Sequence, residues 1–75
     1  MEGGIKMEQY NKIKGYRVMI GYSQDEMAAA LGINKKSYAN KENGTQEFKY
    51  SEMVMFLNVI KEKLPSVTMD EIFLK

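Results

Sequence analysis

Apolar residues recur at helical rather than strand spacing along nearly the whole chain. From about Glu8 to Ile20, the positions Tyr10, Ile13, Tyr16 and Ile20 share one helical face, and Gly21 follows as a C-cap. Gly15 lies inside that helix at a cost of about 1 kcal/mol relative to Ala, and reads as a tolerated weakness rather than a close helix contact. Ser23 and Glu26 then form a capping box, so a second helix begins at Gln24. Met27, Ala28 and Leu31 give it an apolar face, and Gly32 stops it. Asn34 caps a third, polar helix that starts Lys35, Lys36, Ser37 and is closed by Gly44. Phe48 plugs the core from the following loop. A fourth helix runs from Tyr50 to Leu64, with Tyr50, Met53, Val54, Leu57, Ile60 and Leu64 as its core stripe, and Pro65 forbids continuation. Thr68 with Glu71 makes another capping box, and Val67 can staple onto Ile72, which predicts a short fifth helix.

Two apolar excesses remain. Met55, Phe56 and Val59 lie off the stripe of helix four, and Ile72, Phe73 and Leu74 are consecutive. A short helix cannot turn three successive side chains inward, so these six are candidates for a two-fold dimer interface. The other reading is that they only seal a monomer's core.

From Tyr22 to Gly44, one helix ends and another starts within a few residues, which is the layout of a helix-turn-helix. The residues Arg17, Gly21, Tyr22, Ser23, Gln24, Asp25, Glu26, Met27, Ala28, Leu31, Gly32, Ile33, and then Glu42, Asn43, Gly44 follow one ungapped pattern. In that pattern the sequence resembles the phage repressor and Cro family, also called the Xre family. The likeness continues more loosely into helix four. It implies a compact five-helix, lambda-repressor-like bundle in which helix three reads DNA. By the same resemblance, Lys35, Lys36 and Asn40 match base-reading positions, with Lys suited to guanine O6 and N7 and Asn to adenine N6 and N7. Ser23 and Gln24 at the start of helix two, Ser37, Lys41 and Asn43 on helix three, and Thr45, Gln46 and Lys49 in the loop become candidate phosphate contacts. Arg17 and Glu42 are implied to form a buried ion pair fastening helix one to helix three. The sequence departs from the family at the inward positions of helix three, Tyr38 and Lys41. Tyr38 is expected to fill the core with its hydroxyl at the rim, and Lys41 to snorkel toward solvent or phosphate.

Composition narrows the chemistry further. At 75 residues there is room for one domain and one small core. Residues 1–7 are expected to be a flexible lead and 8–75 the DNA-binding domain, with the helix-turn-helix at about 23–43. The chain has no Cys and no His, which removes disulfides, thiol nucleophiles, the usual zinc ligands and a Ser-His-Asp triad. Asp25 and Glu26 are adjacent on a helix and diverge, so they are no catalytic dyad. No metal, cofactor or enzymatic activity is expected. The sequence lacks both an apolar run of the roughly 20 residues a membrane span needs and a signal-peptide core, so a cytoplasmic protein is expected. A net charge of +1 is weak grounds for polyanion binding, but three Lys and no acid lie between Asn34 and Lys41.

The reading that follows is an all-α DNA-binding regulator of transcription. It is expected to repress by occupying a pseudo-palindrome as a homodimer, with half-sites about one helical turn, roughly 34–36 Å, apart. Because the sequence stops at helix five, the cleavable or ligand-binding domain of larger repressors is expected to be absent. The alternative is a protein-interaction module of the same fold, antitoxin-like or antirepressor-like, that meets a protein partner through the apolar excess.

Overall fold

A computed structural model of the chain describes residues 12–74, which form a small all-α bundle with no strand among them. The expected flexible lead and the start of helix one, including Tyr10, lie outside the described residues. The helices are α1 (12–19), α2 (Gln24–Leu31), α3 (Lys35–Glu42), α4 (Tyr50–Lys61) and α5 (Asp70–Leu74). Among the described residues no helix is long and apolar enough to cross a membrane.

The helix ends follow from short-range chemistry. Ser23 Oγ accepts from the Glu26 backbone N–H at 3.0 Å while the Ser23 N–H donates to Glu26 Oε1 at 2.7 Å. Both partners of this box are exposed, so its worth is that of an ordinary N-cap, and Ser23→Ala should cost about 1 kcal/mol in urea unfolding. At the other end of α2, Gly32 adopts φ +75°, and the Ile33 N–H reaches back to the Ala28 carbonyl at 3.0 Å. That left-handed turn redirects the chain in three residues, so that Asn34 can cap α3 by accepting from the Ser37 N–H at 2.7 Å. Gly15 answers to no neighbour, since a Cβ there would meet nothing within 4 Å.

α2 packs against both α3 and α4, and the core between them is closed by Ile13 of α1, Ile20 just after it, Val67, and Ile72 of α5. Phe48 enters from the loop as expected, with its ring centroid 6.4, 6.1 and 5.3 Å from those of Tyr38, Phe56 and Phe73.

Three expectations about the C-terminal half need correction. Of the expected stripe of α4, Ile60 is buried and Leu57 and Leu64 pack against the core, but the inner line is completed by Glu52 and Phe56, and Tyr50 is 72% exposed. The helix is thus rotated from the apolar stripe because Glu52 faces inward to meet Lys41 and carries Phe56, one turn later, into the centre. α4 also ends at Lys61 rather than Leu64. The residue before Pro65 avoids the α region, and the Lys63 and Leu64 N–H groups instead close a turn on the Ile60 carbonyl at 3.1 and 2.9 Å. α5 has the expected box, with the Thr68 N–H to Glu71 Oε1 at 2.9 Å and the Glu71 N–H to Thr68 Oγ1 at 3.3 Å. It is, however, a wide π-type turn. The wider turn lessens the angular step between neighbours, so Ile72 is fully buried and Phe73 half-buried beside it. Phe56 and Ile72 are therefore core residues and not dimer-interface candidates. Met55 and Leu74 are exposed, and Val59 is half-buried.

Candidate nucleic-acid interface

α3 is held from one side and open on the other. Tyr38 and Glu42 are buried, and Lys41 turns inward with them. Lys36, Asn40 and Asn43, four and three residues apart, come up on the opposite face. Lys36 and Asn43 are exposed, and Asn40 is half-buried. Lys35 is also exposed but lies toward α2, where its Nζ is 3.9 Å from Asp25 Oδ2. Both partners of that pair are in solvent, so it contributes little to stability while offsetting some of the lysine's charge. Ser37 is half-buried.

The loop after α3 folds back onto the helix end. Backbone N–H groups of Thr45 and Gln46 donate to the Asn40 carbonyl at 2.8 and 3.1 Å. Asn43 Oδ1 accepts from the Thr45 N–H at 2.9 Å and from Thr45 Oγ1 at 2.7 Å. The side chains of Thr45, Gln46, Glu47 and Lys49 in this loop are all exposed. Tyr50, which sequence periodicity assigned to the core, joins this exposed edge at the first position of α4.

Behind the open face lies a buried polar junction. Arg17 Nε and Nη2 donate to Glu42 Oε2 and Oε1 at 2.6 and 3.3 Å, and Arg17 Nη1 donates to the Tyr22 carbonyl at 2.7 Å. Glu42 also accepts from Tyr38 Oη at 2.7 Å and from Gln24 Nε2 at 2.9 Å. One carboxylate thus ties α1, α2 and α3 together. Burial alone would push the Glu42 carboxyl up, but donation from Arg17, then Gln24 and Tyr38, holds it below the ordinary glutamate value. Donation to Glu42, against the opposing effect of burial, raises the Arg17 guanidinium. Burial first, and then donation to Glu42, raises the Tyr38 phenol.

This junction changes two expectations. Tyr38 does not bring its hydroxyl to the rim but spends it on Glu42 inside the core. Gln24, expected at a phosphate, has an amide N–H committed to Glu42; its distance of 18 residues from that partner leaves no local signal in the sequence. The Tyr38–Glu42 bond, one helical turn apart, is by contrast a spacing that sequence can suggest.

Lys41 departs furthest. Its Nζ lies 2.5 Å from Glu52 Oε1, with the side chains 9% and 7% exposed, so it is not positioned as a phosphate contact. An inward carboxylate on α4 draws the ammonium across the α3–α4 gap, which is cheaper than leaving either charge unpaired. Burial raises the Glu52 carboxyl, but Lys41 and the Lys49 backbone N–H, which donates to Glu52 Oε1 at 2.8 Å, bring it below its usual value.

Among known proteins, no family model, no curated protein and no solved structure matches the chain.

Proposed function

We propose that this chain is a sequence-specific double-stranded DNA-binding regulator of the repressor and Cro type, acting from the cytoplasm as a homodimer on a pseudo-palindromic operator. The observation that carries the reading is the free face of α3: Lys36, Asn40 and Asn43 stand opposite the buried Tyr38 and Glu42, on a helix fixed from behind. A helix so held can enter a major groove without losing its packing. Lys36 and Asn40 are the base readers, and Lys35 joins them after exchanging Asp25 for DNA. Thr45, Gln46 and Lys49 follow the backbone on one side and Ser23 on the other. Ser37 and the remaining N–H of the Gln24 amide reach phosphate only at the edge of the contact.

Selection of tight binders from a random duplex pool tests the reading. Enrichment of a pseudo-palindrome supports it, and no enrichment at low salt rejects it. On the selected site, Lys36→Ala or Asn40→Ala should each relax the preference at one base by roughly 1–3 kcal/mol. Lys49→Ala should instead weaken all sequences alike and lower the salt slope by about 1.

Exposed apolar side chains favour a second reading. Met55 and Leu74 are 45% and 67% exposed, and Val18 and Met19 of α1 are exposed as well. Met55 and Leu74, with half-buried Val59 and Phe73, are the remaining candidates for the dimer contact. They could equally receive an unlike protein if the chain is an interaction module. Binding through them would respond weakly to salt, whereas DNA affinity falls steeply as counterions are released.

A further inference from the structure

Asn43 and Gly44, which close α3, are the one Asn-Gly pair in the sequence; every other asparagine precedes Lys or Val. Such a pair can react with itself, because the backbone nitrogen of the second residue can attack the side-chain amide carbon of the first. A glycine, having no Cβ, leaves that nitrogen open to approach. Here the loop also demands the glycine, since Gly44 sits at φ +89°. The reactants are already close together. Asn43 is exposed, and its Oδ1 reaches across Gly44 to accept from the Thr45 N–H at 2.9 Å and from Thr45 Oγ1 at 2.7 Å.

The same turn withholds the reaction. Ring closure needs the Asn43 side chain and the Gly44 nitrogen to eclipse about the Cα–C bond, whereas Asn43 has φ −88° and ψ 1°. The ψ required is one that a residue with a Cβ rarely adopts. The Gly44 N–H also faces the Lys41 carbonyl at 3.3 Å, and the Thr45 and Gln46 N–H groups hold the loop to the Asn40 carbonyl. The loop must therefore open first, and the Asn43–Thr45 bonds that resist opening lie in solvent, so this costs far less than global unfolding.

We propose that Asn43–Gly44 is a site of self-modification gated by the loop after α3. In the open loop the Gly44 nitrogen bonds to Asn43 Cγ, the Cγ–Nδ2 bond breaks, and the amide group leaves as ammonia with the proton that Gly44 gives up. Water then adds to one carbonyl of the cyclic imide and breaks its bond to nitrogen, which regains a proton. Opening at Cγ leaves aspartate, and opening at the backbone carbonyl leaves isoaspartate. No oxidant or reductant takes part. Either product places a new carboxylate on the face shared with Lys36 and Asn40. The effect on function rests on the DNA-binding reading: a negative charge there repels phosphate, so the reader helix loses affinity as the chain ages.

Peptide mass mapping of the full chain over time, at mildly alkaline pH, tests the step without DNA. Conversion is expected at Asn43 ahead of every other asparagine, and faster in urea than in native buffer. Thr45→Val keeps the backbone donor and loses the hydroxyl. It should speed native conversion by a factor of roughly 2–10, the weight of one hydrogen bond in the opening equilibrium. No conversion at Asn43 in urea, equal rates in urea and native buffer, or a rate that Thr45→Val leaves unchanged or slows would each overturn the proposal. On the site that the parent chain selects, Asn43→Asp should bind several-fold more weakly at low salt and differ less at high salt. Equal affinity would overturn the effect on DNA, whereas a parent chain that selects no site would count against the DNA-binding reading alone, with the mapped conversion standing.

Discussion

Arg17→Ala should lower the unfolding free energy by about 3–5 kcal/mol, read from urea denaturation near neutral pH. The guanidinium supplies two of the four donations that Glu42 receives and one to the Tyr22 carbonyl. Without it, a carboxylate 5% exposed keeps only the neutral donors of Gln24 and Tyr38. Arg17→Lys should recover little, because an ammonium cannot span both carboxylate oxygens and the carbonyl at once. The pH dependence has a definite sign. In the parent chain Glu42 is held below the ordinary 4.5, so its stabilisation is complete above that value and is lost as pH falls through the lower folded-state pKa. In Arg17→Ala, burial dominates and the Glu42 carboxyl rises. It then takes up a proton at higher pH, so the gap between variant and parent should narrow on acidification. A loss below about 1 kcal/mol, or a gap that widens in acid, would rule out the junction as the link between α1 and α3.

Much of this arrangement is legible in the sequence where the rule is local. Ser23 with Glu26, Asn34 with Ser37, Thr68 with Glu71 and the left-handed Gly32 all act within four residues, and the helix starts follow from them. The meeting of Arg17 with Glu42 spans 25 residues, and only the family resemblance pointed to it. Where the structure departs from the sequence, polar residues inside the core are the cause. A count of apolar positions on α4 favours Tyr50, Met53 and Leu57 because it treats Glu52 as an outward residue. Once Lys41 supplies an inward partner, Glu52 can lie inside, and the helix turns to place Phe56 at the centre beside Ile60, which the stripe already included. The assignment of Phe56 to a dimer surface fails for the same reason. That of Ile72 fails because the π-type turn over Asp70–Leu74, which a three-residue apolar run does not signal, carries it into the core.

The Lys41–Glu52 pair sets up the second large effect, and it separates two roles for the same lysine. Lys41→Met keeps the stem and removes the charge, leaving Glu52 inside with only the Lys49 N–H as donor. The expected loss is about 3 kcal/mol, at the low end for a broken buried pair because that N–H remains. Glu52→Leu should cost a comparable amount, since it strands the ammonium and removes the bond at the start of α4. The double variant Lys41→Met with Glu52→Leu should cost clearly less than the sum, as two matched apolar groups replace two matched charges. If Lys41 instead snorkelled outward to phosphate, Lys41→Met would leave unfolding nearly unchanged, weaken DNA binding at every sequence and reduce the salt slope by about 1. Urea curves for the two single variants and the double, set beside salt titrations of Lys41→Met on its selected site, therefore decide whether this lysine fixes the angle of α3 from behind or touches DNA in front.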